Sequence, residues 1–254
     1  CLFFNTNEDQ LNLKKHLDKT IPVDTNNKIY IIGAGPSGVE LACKVSDLYK
    51  SKFEVIIVEK TSEILNNSKS FNKEEAEKAI DKKNIHLMKN CSVIEITDKH
   101  ILLSNNLNQV EKFQYLEVIW VAGIKPNLPK FNQKIHQINN KILINSNLQL
   151  KDFPNVFAIG DISQIESNNS SPVTAQVAMQ QGEHVAINLK LLINNEKLLP
   201  FKFDDNGEMM SLGIGEASIS GIGLTFSGKL AFDLRRIIYA SKMPKVGKSL
   251  KSTA

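Results

Sequence analysis

Three glycines and two acidic residues carry the first chemical signal. In "KIYIIGAGPSGVELA", Lys28 to Ala42, Gly33, Gly35 and Gly38 stand as G-x-G-x-x-G directly after an apolar run. Gly33 permits a tight turn, Gly35 lets backbone approach a pyrophosphate, and Gly38 permits close packing of helix on strand. A helix starting near Pro36 adds N–H groups and a partial positive charge at the same place. This is chemistry for holding the diphosphate of a dinucleotide. Glu59, 21 residues after Gly38 (59 − 38), closes the next apolar run, "FEVIIVE". Its carboxylate suits an adenosine ribose 2′-OH and repels a 2′-phosphate, which favours NADH over NADPH. A solvated charge at a strand end is the plainer reading of Glu59. Glu40 falls in the first turn of the helix, where the dipole alone favours a carboxylate.

Further along, "FPNVFAIGDIS" (Phe153 to Ser163) ends an apolar strand on Gly160-Asp161, where an Asp can bond a polyol chain. In "TAQVAMQQGEHVAINL", Gln176, Gln180 and His184 fall at i, i+4 and i+8 and share one helix face. Ala175, Ala178, Gly182 and Ala186 are small enough to admit another backbone or a ring. A merely solvated polar face has the same spacing. "VIWVAGIKPN" carries Ala122-Gly123, which serves either a turn or a close approach to a nucleotide. His16, His86, His100 and His136 have neither metal nor triad spacing, so no metal site is expected.

The elements that must position these residues read as follows. A helix over "DQLNLKKHLDK" leads to a polar linker with Pro22. Residues 28–59 make one βαβ unit of a parallel sheet. A charged helix, "NKEEAEKAIDKKN", precedes short strands at "IHLM", "CSVIEI" and "HILLS", which suggest a meander. "LEVIWVAG" is a buried strand, and the Pro-rich stretch 124–129 marks a domain boundary. Beyond it come strands "KILIN" and "NVFAIGD", then a helix from about Pro172 to Leu192. "FKFDDNGEMMSLG" reads as β structure with a type I′ hairpin signal at Asn206-Gly207. An amphipathic helix near 228–242 and a basic tail close the chain.

At 254 residues and 42% hydrophobic, the chain fills one large domain or two smaller ones. A net charge of +4 does not suggest a nucleic-acid partner. No apolar stretch reaches the length of a membrane span. Cys1, Cys43 and Cys91 are widely spaced with no C-x-x-C, which fits a reducing compartment and argues against a dithiol centre in this chain. "SNNSS" reads as a polar loop. The opening "CLFFNTNEDQ" lacks a Met and a signal peptide, so the chain reads as a piece of a longer one.

Taken in order, "IIGAGPSGVELA", "IIVEK", "VIWVAGIKPN", "NVFAIGD" and "AQVAMQQG" resemble the two-dinucleotide flavoprotein reductases. "AQ-x-A-x-QQ" is similar to the motif of type II NADH dehydrogenases, the single-subunit NADH:quinone oxidoreductases. The resemblance implies an α/β fold: a Rossmann-like NADH-binding domain, the C-terminal half of an FAD-binding domain, and a small C-terminal β/α extension. The implied division is 1–27 as a linker or remnant of the FAD domain and 28–125 for NADH. It continues with 126–200 for FAD and 201–254 as the extension, with the first FAD glycine motif expected upstream. It further implies that Gly33, Gly35, Pro36, Gly38, Glu59, Ala122 and Gly123 hold NADH. Gly160, Asp161, Ala175, Gln176 and Val177 would hold FAD, with Asp161 on the ribityl chain. Gln176 and Gln180 would line a quinone pocket, and Glu40 would relay a proton or orient the reactants. A disulfide- or ferredoxin-type flavoprotein reductase, or a bare NADH-binding module, stays open as an alternative.

The C-terminus carries its own expectation. From Lys229 on, Lys229, Arg235, Arg236, Lys242, Lys245, Lys248 and Lys251 face Asp233 alone. Leu230, Leu234, Ile237 and Ile238, with Phe226 nearby, form an apolar stripe. A basic amphipathic helix of this kind lies in a membrane interface. The expected location is therefore peripheral, on the cytoplasmic side of a membrane that supplies the quinone; a homodimer is compatible with all of this.

Overall fold

The computed structural model describes residues 1–20, 27–123, 125–166 and 172–242. The chain divides into two compact units, Ile124–Asp205 and the remainder, which runs from Cys1 to Gly123 and resumes at Asn206.

The central strands of the first unit each open on one charged residue, Lys28, Glu54 or Glu117, and are apolar from there on. β1 (Leu2–Phe3) is followed by helix α1 (Asn7–Lys19). Thr6 and Asp9 form a reciprocal capping box at its start. β2 (Lys28–Ile32), α2 (Pro36–Tyr49) and β3 (Glu54–Val58) make the βαβ unit, and α3 (Ser70–Lys82) leads to β4 (His86–Met88). β5 (Ser92–Ile96), β6 (His100–Ser104) and β7 (Val110–Gln114) form an antiparallel meander, after which β8 (Glu117–Trp120) returns to the main sheet. That sheet is parallel throughout, in the order β1-β8-β2-β3-β4. A strand buried on both faces reads as a near-continuous apolar run. The period of two then sorts the side chains. Ile29, Ile31, Val55 and Ile57 pack with α1, α2 and α3, whereas Tyr30, Ile32, Ile56 and Val58 pack with Ile101 and Leu103 of the meander.

The second unit contains β9 (Gln137–Ile138), β10 (Lys141–Ile144), β11 (Gln149–Leu150), β12 (Phe153–Phe157) and β13 (Ser163–Ile165). A 3-10 turn at Gly160–Ile162 precedes β13. Helix α4 (Ala175–Ile193) starts where Thr174 caps it, accepting the Val177 N–H at 3.3 Å. Ile142, Ile144, Leu148, Leu150 and Ala158 are its buried core.

The chain then rejoins the first unit. β14 (Glu208–Ser211), β15 (Ala217–Gly221) and β16 (Leu224–Ser227) form an antiparallel sheet, and α5 (Gly228–Ser241) follows. Met210 and Leu212 enter the core that holds α2 and α3.

Several expectations change. Residues 1–20 pack as part of the nucleotide-motif unit: β1 extends the parallel sheet, and Leu13 and Leu17 are buried in its core. The linker around Pro22 lies outside the described residues, as do "SNNSS" and the tail beyond Lys242. "IHLM" supplies β4 of the parallel sheet; the third meander strand is the polar "VEKFQ", exposed on most of its length and therefore without an apolar signature. The tight hairpin turn is Ile222-Gly223, both at positive φ (52° and 72°), between β15 and β16. Asn206-Gly207 instead precedes β14. From Asn206 on, the extension is part of the nucleotide-motif unit, not a separate body.

Candidate nucleotide-binding site

The turn after β2 explains the glycine spacing. Gly33 sits at φ +108°, and a Cβ there would meet the Ala122 backbone and side chain at 3.0 Å. A Cβ on Gly38 would lie 1.9 Å from Gly33 O, so only hydrogen fits between turn and helix. At Gly35, the residue that caps α2, a Cβ would meet nothing within 4 Å. Space is thus open beside Gly35, which offers no side chain to cap the first N–H groups of α2. The arrangement fits a phosphate-bearing ligand. Ala122 is thereby placed against the turn, its carbonyl accepting the Trp120 indole N–H at 2.8 Å, and Gly123 follows at φ +79°.

Glu59 is tied into the same turn. Its Oε2 accepts the Ala34 N–H at 2.8 Å, and its Oε1 accepts the Thr61 N–H at 2.9 Å with Thr61 Oγ1 at 2.8 Å. Ala34 O in turn accepts the Leu65 N–H at 3.0 Å. Burial pushes the Glu59 carboxyl up, but the bonds from Ala34, Thr61 and Lys60 outweigh it and hold it below the usual range. The charge is thus fixed at the end of β3, beside the glycine turn.

Glu40 points elsewhere than the turn. Its Oε1 accepts the Ser211 N–H at 2.7 Å and lies 3.2 Å from Arg235 Nη2. Burial, the largest influence, raises the Glu40 carboxyl above its ordinary range; Arg235 and Ser211 pull it down without cancelling that. Seven residues on, Asp47 accepts the Ile214 N–H at 2.6 Å and pairs with Lys83, also at 2.6 Å. A third carboxylate, Glu208, accepts from Ser68 Oγ at 2.6 Å, the Lys69 N–H at 2.9 Å and Asn72 Nδ2 at 3.1 Å. It caps α3 from 139 residues away. These three clamps fix the C-terminal strands to the helices of the nucleotide motif.

In the second unit, the Gly160 turn is held from both sides. The Gly160 N–H donates to Gln181 Oε1 at 2.7 Å, and Ser163 Oγ donates to Gly160 O at 2.9 Å. Asp161, the next residue, is exposed. On α4, Gln180 is committed at both ends of its amide: Nε2 donates to Asp204 O at 2.7 Å, and Oε1 accepts the Asp204 N–H at 2.9 Å. His184 Nε2 lies 2.8 Å from Leu199 O, and buried Asn188 makes a two-way pair with Leu199 (2.9 and 3.0 Å). The polar stripe is therefore, from Gln180 on, a grip on the backbone of residues 199–204. This assigns the Gln180 amide a partner other than a quinone carbonyl. Ala175, Gln176 and Val177 form the first turn of α4.

Residues 3–182 match the family described as pyridine nucleotide-disulphide oxidoreductases. The chain belongs to that family. Among curated members, a demethylphylloquinone reductase of Synechocystis is 32% identical over 247 residues, 96% of this chain and 61% of the relative. An alternative NAD(P)H-ubiquinone oxidoreductase of Arabidopsis thaliana is 29% identical over 266 residues, covering 95% of this chain and 51% of the relative. The chain thus spans 51% to 61% of the length of these two relatives. The solved structure of NDH2 from Plasmodium falciparum in complex with NADH superposes with a TM-score of 0.82 over 100% of this chain and 71% of the other, at 16% identity. At that identity the likeness is one of fold, an α/β fold with a Rossmann-type parallel sheet.

Sequence reasoning missed four residues of this chain that the structure makes prominent: Gln181, Asn188, Asp47 and Glu208. Gln181 is the neighbour of a glutamine that was singled out, and its burial at 3% is what distinguishes it. Asn188 continues the i, i+4 series by one further step. Asp47 and Glu208 carry no local signal, because their partners lie far along the chain.

Proposed function

We propose that this chain is the NADH-binding part, with half of the flavin-binding part, of an NADH:quinone oxidoreductase of the type II class. The observation that carries the reading is the glycine turn with Glu59 bonded into it. The Gly33–Gly38 turn and the N-terminus of α2 receive the pyrophosphate, and Glu59 receives the adenosine ribose 2′-OH and disfavours a 2′-phosphate. Ala122 and Gly123 border the same turn. In the second unit Asp161 takes the ribityl chain of FAD, with Gly160 and the first turn of α4 (Ala175, Gln176, Val177) beside the cofactor. When bound, the flavin supplies two-electron chemistry between the hydride donor and a membrane quinone. Glu40, its carboxyl raised by burial, holds a proton more readily than an exposed glutamate and serves proton delivery. Gln176 is the quinone-facing glutamine; Gln180 supports it by fixing the backbone of Asp204.

A dithiol reaction in this chain is disfavoured by Cys43, fully buried with its thiol pushed up to about 12. Membrane contact rests on α5 and its hairpin. Leu230 and Ile237, seven residues apart on one face, are 68% and 63% exposed, and Ile222 at the hairpin tip is 85% exposed. Arg235 is turned onto Glu40, so the cations left for headgroups are Lys229 and Arg236 on α5 and Lys242 at its C-cap. Among the described residues no helix is long and apolar enough to cross a membrane. A peripheral attachment on the cytoplasmic face, as a monomer or homodimer, follows from this reading. The test is stopped-flow on the full-length protein: NADH bleaches the flavin absorbance and a short-chain quinone restores it. Bleaching without quinone-dependent recovery refutes the quinone assignment.

A further inference from the structure

We infer that Gln181 is a positioning residue for the flavin site, acting through Gly160 to aim Asp161; this rests on the proposed FAD reading. Gln181 is 3% exposed, an environment in which a polar side chain needs partners. Its Oε1 accepts the Gly160 N–H at 2.7 Å. Gly160 itself is in the left-handed region at φ +71°, and a Cβ there would touch Ala178 Cβ at 3.4 Å, one turn before Gln181 on α4. The Gly160 carbonyl is taken by Ser163 Oγ at 2.9 Å. Both backbone groups of the glycine are therefore bonded to side chains, one from a helix twenty-one residues away and one from within the turn. Asp161 follows directly, exposed and carried by this fixed hinge. Removing the Gln181 acceptor frees the peptide plane between Ile159 and Gly160, whose N–H is part of the same turn that sets the direction of Asp161. A binding carboxylate works only within a narrow cone, so a loosened hinge costs affinity without altering any group that touches the ligand.

The test is a double-mutant cycle read in FAD affinity on the full-length protein, with Gln181→Met, Asp161→Asn and the pair. Gln181→Met alone is expected to weaken FAD about tenfold, the loss of one buried hydrogen bond. The double variant is expected to bind FAD no more weakly than Asp161→Asn, because Gln181 acts through Asp161. NADH affinity, which the other unit supplies, stays unchanged. Additive losses overturn the inference while leaving the flavin reading intact, whereas a wild-type protein that takes up no FAD refutes the flavin reading itself. Should Gln181→Met fail to fold, amide exchange in the wild type decides: the Gly160 N–H is expected to be protected well beyond the Asp161 N–H, and free exchange at Gly160 overturns the proposal.

Discussion

Glu59→Gln separates two roles of one carboxylate. In the folded chain the carboxylate accepts two backbone N–H groups, from Ala34 and Thr61, on different oxygens. An amide has one acceptor oxygen, so the substitution sets an NH2 against one of those donors. Charge-assisted bonds of this kind contribute about 1.5–3 kcal/mol, and partial exposure of Glu59 places the loss near the lower end. For a unit of this size, ~1.5 kcal/mol lowers Tm by about 3–6 °C. The sign with pH follows from the depressed carboxyl. A folded value below the unfolded one stabilises above the unfolded value near 4.5, and that contribution is lost as pH falls through the folded value. Glu59→Gln lacks it at every pH. The Tm gap between wild type and variant is therefore widest near neutrality and closes on acidification below about pH 4.5. Thermal melts at stepped pH measure this directly. A gap that is absent at pH 7, or that stays constant down to the acid limit, refutes the assignment of Glu59 to the turn. In the same samples calorimetry reports the second role: the preference for NADH over NADPH is expected to shrink about tenfold, the equivalent of ~1.4 kcal/mol.

Two further outcomes check the packing that supports the site. Gly38→Ala places a methyl 1.9 Å from Gly33 O and is expected to cost on the order of 1–3 kcal/mol and to abolish detectable NADH binding by calorimetry. Glu208→Ala removes the remote cap of α3 and is expected to cost about 1–2 kcal/mol in urea unfolding, with Glu208→Gln recovering part of it.

The local devices were legible in the sequence because each is short in range. G-x-G-x-x-G after an apolar run marks strand, turn and helix within fifteen residues, and β2 and β3 announce burial on both faces by being apolar after their first residues, Lys28 and Glu54. The same holds for α4 and α5, whose predicted spans differ from the observed ones by a few residues at most. Glu59 was identifiable by its position at the end of β3, yet its bond to Ala34 depends on how the turn folds back over 25 residues. Long-range pairing alone decided the rest. No feature of "LFF" marks it as a fifth parallel strand; β8, more than a hundred residues later, provides the edge to which it bonds. Glu40 looked like a helix-dipole carboxylate or a reaction participant, and the fold gave it Ser211 and Arg235 from the C-terminal segment, 171 and 195 residues away. Gln180 and Gln181 are indistinguishable as neighbours in a helix, since one step is a rotation of about 100°. That rotation directs one amide to the backbone of Asp204 and the other into the buried Gly160 turn. A sequence states which side chains can hydrogen-bond, and the tertiary structure selects their partners, because burial leaves each polar group only the donors and acceptors that packing brings within 3 Å.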